Sequence, residues 1–199
     1  MSCRNPKSFG QGEGLEPVSP LDLRKVESFD DLLRGMSATA FGGRSLGEAA
    51  DVLHEIVEDP DCFTVMTLSG AMTIAKMGLV ASEMVDRGWV QAIVSTGALM
   101  CHGFVETSGR LHYKYDPSMN DDELYKMGYN RVYDTLELEA SLDDVELIIR
   151  EILSSGKMER YERAGVKAAS SYGFTRALGE WLCENTKAED RALLKSCYE

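Results

Sequence analysis

The chain has 199 residues, with 44% hydrophobic and 27% charged side chains, the balance of a folded globular protein rather than a disordered one. That length suits one substantial domain, or a domain with an appendage, and can bury enough surface to fold without a disulfide or metal staple. Thirty-three acidic against 21 basic residues, net −12, argue against general binding to nucleic acid or anionic membrane and favour cationic partners.

Residues 1–20 hold Pro6, Pro17 and Pro20 with several glycines and serines, and read as an extended N-terminal arm ahead of the folded part, 21–199. Nothing in the first residues resembles the apolar core of a signal peptide. From Ser28 to Met36 the pattern predicts a short capped helix, followed by a break at Gly42–Arg44. Ser45 with Glu48 three residues later forms a capping-box signature for a second helix, ended by Asp59-Pro60-Asp61.

Cys62–Leu68 then reads as a buried strand, stopped by Ser69-Gly70, and Ala71–Asp86 as a helix with Gly88 at its C-terminal end. That helix is interrupted by Lys76 and Glu83 and too short to span a bilayer. A second strand, Val90–Thr96, stops at Gly97. Strand, helix and strand with short joints make the βαβ unit of a parallel sheet. Residues 111–135 form a polar, aromatic-rich loop region. Helices are expected over Leu142–Leu153 and Gly173–Asn185, with a helical tail over Ala188–Tyr198. A chain that stops on a helix where another strand is expected leaves an open sheet edge, which favours a covering segment or partner.

In an open parallel sheet, ligands bind beyond the carboxyl ends of the strands. Ser69-Gly70 and Thr96-Gly97-Ala98 lie at those two exits, where small residues let a ligand approach the backbone and a helix N-terminus can meet a phosphate. Such residues also simply make tight turns, and neither a GxGxxG nor a Walker motif is present. His102 follows the second exit beside Cys101. The pair invites a thiolate-nucleophile reading, but adjacent residues rarely present both groups to one atom, so His102 is the better ligand-contacting candidate. His54 falls on the polar flank of a helix and His112 in the loop region. No HExxH or paired His/carboxylate spacing points to a metal, and none is expected. The acidic runs Asp121–Glu123 and Asp143-Asp144 read as N-terminal turns of helices, and Met66, Met72, Met77 and Met84 as core filling. Five scattered cysteines (Cys3, Cys62, Cys101, Cys183, Cys197) without a CxxC pair predict reduced thiols and a cytoplasmic setting.

Four blocks, Gly42–Leu53, Leu68–Thr73, Ala92–Ala98 and Gly128–Asp134, occur in the order seen in the deoxyhypusine synthase family, and the chain resembles its prokaryotic, deoxyhypusine-synthase-like branch from about residue 17 to 199. The resemblance implies a Rossmann-like α/β fold with a parallel sheet flanked by helices, incomplete at its C-terminal side, a homotetramer, and NAD as cofactor. It implies an aminobutyl transferase that oxidises spermidine, captures the aminobutyl group as an imine on a lysine and passes it to a protein lysine or a polyamine. Ser69, Gly70, Ala71, Met72 and Thr73 match one NAD-contacting block and Thr96, Gly97 and Ala98 a second. Cys101 and His102 stand where the family places NAD- and polyamine-contacting side chains, commonly acidic in the eukaryotic enzymes. The chain covers little more than half the family pattern, and the rest carries the imine-forming lysine and most of the acidic pocket. None of Lys157, Lys167, Lys187 or Lys195 lies in a matching block. A complementary C-terminal chain or segment is therefore expected, with a non-catalytic subunit that binds or activates a catalytic paralogue as the alternative.

Overall fold

A computed structural model of the chain describes residues 14–158 and 170–199. Cys3, Lys167 and most of the expected arm lie outside the described residues. The chain divides into two compact units, Met1–Cys62 and Phe63–Glu199.

The first unit is a helical pair. Helix α1, Phe29–Ser37, starts where expected: the Ser28 hydroxyl accepts from Asp31 N at 3.1 Å. Helix α2, Phe41–Glu58, does not. It begins four residues before the expected cap and runs through Gly42 and Gly43, and Ser45 donates to Phe41 O instead of capping. Tertiary packing overrides the local signal. The Arg44 guanidinium donates to Thr39 O at 2.6 and 2.9 Å, and Ser37 Oγ donates to Asp51. Gly47 is buried so tightly against α1 that a Cβ there would lie 2.3 Å from Ser37 N, a backbone atom that cannot step aside. Gly47→Leu is therefore expected to destabilise the helical pair by roughly 1–3 kcal/mol, read as a lowered thermal midpoint.

The second unit contains the expected parallel pair in shortened form. Strands β1, Val65–Thr67, and β2, Ala92–Val94, pair in parallel with Val65 opposite Ala92 and Thr67 opposite Val94. They are not the buried strands expected: Val65 is 50% and Val94 59% exposed. A two-stranded ladder of three residue pairs gives helices little surface to cover. The helix expected over Ala71–Asp86 is also divided. A 3₁₀ turn at Gly70–Met72 leads to Lys76, whose φ of 65° breaks the helical path, and helix α3 spans only Gly78–Asp86. Gly88 ends α3 as expected, with φ 72° and its N–H donating to Val85 O. Met77 is 41% exposed, and Met66, Met72 and Met84 are only partly covered, so these methionines do not fill the core.

Helix α4, Gly97–Thr107, follows β2. Residues 111–135, expected as loop, form most of an antiparallel sheet. Strands β3, His112–Lys114, β4, Tyr129–Val132, and β5, Thr135–Leu138, lie in the order β3-β5-β4, with helix α5, Asp121–Lys126, inserted before β4. Each strand is too short for its alternation to stand out, and the β4–β5 turn uses Tyr133 at φ 57° rather than a glycine or asparagine. The acidic run Asp121–Glu123 does open a helix, behind an Asn120–Glu123 capping box. Asp143 and Asp144 instead fall in the second turn of α6, Glu139–Ser154, where Asp144 pairs with Arg110 at 2.6 Å. Helices α7, Ser171–Asn185, and α8, Leu193–Tyr198, complete the unit, so the expected tail shortens.

The core joins α4, α6 and α7: Phe104 and Val105 pack with Val145, Ile152, Ala177, Leu178 and Leu182, and the Phe104 and Trp181 rings lie 5.6 Å apart. This is a mixed α/β architecture whose parallel pair has the βαβ connection of a Rossmann-like fold. Among the described residues no helix is long and apolar enough to cross a membrane.

Candidate functional site

The carboxyl ends of β1 and β2 release the chain into two turns that touch. Leu68 N donates to Val94 O at 3.1 Å and Ser95 Oγ donates to Leu68 O at 2.7 Å, carrying the pairing past the strands. Gly70 then passes so close to the second turn that a Cβ on it would lie 2.3 Å from Thr96 Oγ1 and 2.9 Å from the Ala98 methyl. The structure thus brings together the two blocks singled out in the sequence, 26 residues apart, with a glycine where contact is tightest.

Their members differ in what they offer. Ser69, Ala71, Thr96, Gly97 and Ala98 are exposed, and Gly70 and Met72 half-buried. Thr73 is buried, and its hydroxyl donates to Leu99 O at 2.8 Å, tying the first turn to α4. Ser69 does not open a helix: it heads the three-residue turn Gly70–Met72, its hydroxyl accepting from Ala71 N. Only the second exit leads into a full helix. Thr96 is its N-cap and makes no side-chain cap bond; Leu99 N donates to Thr96 O at 3.1 Å, which leaves the N–H groups of Gly97 and Ala98 to meet an anion. A hollow of about 1170 Å³ opens beside β2 and α4. Thr73, Thr96, Gly97 and Gly103 line it, together with Tyr172 and Arg191, whereas Ser69, Ala98 and His102 do not.

Cys101 and His102 lie in the second turn of α4, both half-buried. Burial pushes the Cys101 thiol up, and the nearby Glu137 charge adds to this, so the thiol form is favoured. That environment opposes a thiolate nucleophile. His102 turns Nδ1 to Glu137 Oε1 at 3.2 Å, and His112 brings Nε2 to the same oxygen at 3.0 Å. His112 is therefore a strand residue with a fully buried side chain, not a loop residue. Glu137 is itself 1% exposed. Burial opposes its charge, but hydrogen bonds from His112 and His102 outweigh that and hold the carboxyl below its usual range. On the outer side of His112, Lys76 Nζ stands 3.1 Å from Nδ1 and 2.8 Å from Glu106 Oε1. His112 and Glu137 carried no signal in the sequence. Their spacing follows no motif, and only the β3–β5 register places them opposite each other.

No described lysine stands out as an imine former. Lys195 is buried, but its ammonium donates to Lys187 O at 2.7 Å and Thr186 Oγ1 at 3.3 Å, holding α8 against the end of α7. Lys157 pairs with Glu184 at 2.6 Å. The four described cysteines form no disulfide.

The Thr73 hydroxyl makes the sharpest local test. Thr73→Val leaves Leu99 O without that donor in a buried setting, and we expect a loss of about 1–3 kcal/mol in unfolding free energy. Thr73→Ser should recover most of it, as read by denaturant titration.

Comparison with known proteins places the chain in a family. The deoxyhypusine synthase family model matches residues 31–199. A protein named "Probable deoxyhypusine synthase 2" from Methanosarcina mazei is 32% identical over 92% of this chain and 50% of its own length. The "Probable deoxyhypusine synthase 2" of Archaeoglobus fulgidus is 32% identical over 64% of this chain and 43% of its own length. A "Deoxyhypusine synthase-like protein" from Elusimicrobium minutum is 27% identical over the whole chain and 51% of its own length. The chain spans about half the length of the curated relatives it matches. It belongs to the deoxyhypusine synthase family.

Proposed function

We propose that this chain forms the N-terminal part of an NAD-dependent aminobutyl transferase, with the cofactor held between the two touching turns. The observation that carries the reading is the approach of Gly70 to Thr96 and Ala98 at the carboxyl ends of a parallel strand pair, in a chain of this family. A pyrophosphate there meets backbone N–H groups of α4 and the small residues Ser69, Gly70, Gly97 and Ala98. Thr73 acts from beneath, fixing the first turn to α4.

NAD supplies the hydride acceptor. The chain's own residues bind and orient the dinucleotide at the strand ends. Spermidine is the substrate, drawn by the acidic surface that the net charge of −12 implies. His102 and Cys101 flank the site as cofactor and substrate contacts. The imine-forming lysine belongs to a segment outside these 199 residues, so each complete site needs both parts, in a tetrameric assembly of cytoplasmic enzymes. The acceptor is a protein lysine or a second polyamine.

Two measurements test the reading. Isothermal titration of the chain with NAD should show saturable binding, and Gly97→Val, at a position where an added Cβ meets nothing within 4 Å, should weaken it at least about tenfold while the fold persists by circular dichroism, because the side chain occupies the space in front of the α4 N-terminus. Denaturing intact-mass spectrometry of the natively purified assembly should show a second polypeptide with the lysine block. Saturable NAD binding by this chain alone, with no spermidine turnover in any assembly containing it, would instead support a non-catalytic subunit that binds or activates a catalytic paralogue. Absence of NAD binding both alone and in the assembly would refute the cradle.

A further inference from the structure

We propose that His102, His112 and Glu137 form a binding site for one zinc-like divalent transition-metal ion. Three elements converge to make it: α4 supplies His102, β3 supplies His112 and β5 supplies Glu137. One donor atom from each lies within 4.8 Å of the other two, and the two nitrogens stand 3.0 and 3.2 Å from a single carboxylate oxygen. Tetrahedral zinc with bonds of about 2.0–2.2 Å separates its ligand atoms by roughly 3.3–3.6 Å. The two nitrogen–oxygen distances already fall just short of that spacing, and donor atoms as much as 4.8 Å apart would have to draw together by about an ångström. Two imidazoles and one carboxylate are a common zinc ligand set, with water completing the coordination.

Burial gives the reason to want a cation. Glu137 is 1% exposed and the His112 side chain fully enclosed, while His102 keeps 17% exposure, leaving a path for water and metal. The two ion-pair contacts of Glu137 are both with imidazoles, which are charged only when protonated. Glu137 is already held as a carboxylate by hydrogen bonds from both imidazoles, and a divalent ion between the three donors would meet that buried charge with a full opposite one. The surroundings allow the exchange. In the structure Lys76 approaches His112 Nδ1, which leaves the Nε2 proton toward Glu137. Metal on Nε2 displaces that proton and Nδ1 becomes the protonated nitrogen, so the Lys76 ammonium, a donor 3.1 Å away, must withdraw toward its partner Glu106 and leave Nδ1–H to water. The ion would tie α4 to the β3–β5 ladder, with its water-filled position toward the partly exposed His102 and so beside the proposed cofactor and substrate contacts.

Cobalt(II) titration of the metal-free 199-residue chain, followed by visible absorption, tests this. The expected result is one ion per chain with the intense d–d bands of a low-coordinate site, displaced by zinc. His112→Gln and the near-isosteric Glu137→Gln should each weaken binding by about 100-fold or more, while His54→Gln, a substitution at an exposed position in the other unit, leaves it unchanged. A folded wild-type chain that takes up no cobalt would overturn the proposal. So would uptake that both cluster variants retain undiminished.

Discussion

The seating of α4 against the turn that leaves β1 is the constraint on which the rest of the second unit depends. It rests on two contacts: the Thr73 hydroxyl bonded to Leu99 O, and the bare Cα of Gly70 pressed toward Thr96 and Ala98. Gly103 extends the same seam one turn further, where an added Cβ would meet the Thr73 methyl at 3.2 Å. With α4 held there, its first turn faces the strand exits, Phe104 and Val105 enter the core, and His102 reaches Glu137. One helix thus couples the candidate cofactor cradle, the hydrophobic core and the buried histidine–glutamate cluster. A shift of an ångström along its axis would disturb all three together, since packed interiors do not deform smoothly.

What local chemistry could announce was legible, and what register and packing decide was not. The Ser28 cap, the Gly88 terminator, the parallel pair and the capped acidic turn at Asp121 are signals written within a few residues, and each appears in the structure. The two exit turns were also found in the sequence, because glycine and small hydroxyl residues after a strand have few other uses. The capping box at Ser45 failed because Gly47 and Arg44 bind α2 to its neighbour and carry the helix back to Phe41. The helix over Ala71–Asp86 failed at Lys76, whose left-handed backbone no propensity would place there.

The larger omission was the antiparallel sheet, and with it the site that it builds. Three strands of three or four residues carry too short an alternation to be read, and the tight turn between the last two is made by Tyr133-Asp134. Missing those strands left His112 in a loop and Glu137 unremarked. Once His112 and Glu137 face each other across the ladder, a solitary histidine on α4 becomes the third member of a cluster. Sequence spacing could not show it, because the three residues come from separate elements.

The central claim is that the two touching turns hold a dinucleotide, and a crystal structure of the assembly containing this chain, grown with NAD, tests it most directly. The account predicts the pyrophosphate at the N-terminus of α4, between Ser69-Gly70 and Thr96-Gly97-Ala98, with the fold around it unchanged. Well-defined NAD bound elsewhere on the chain, with those turns empty, would contradict it.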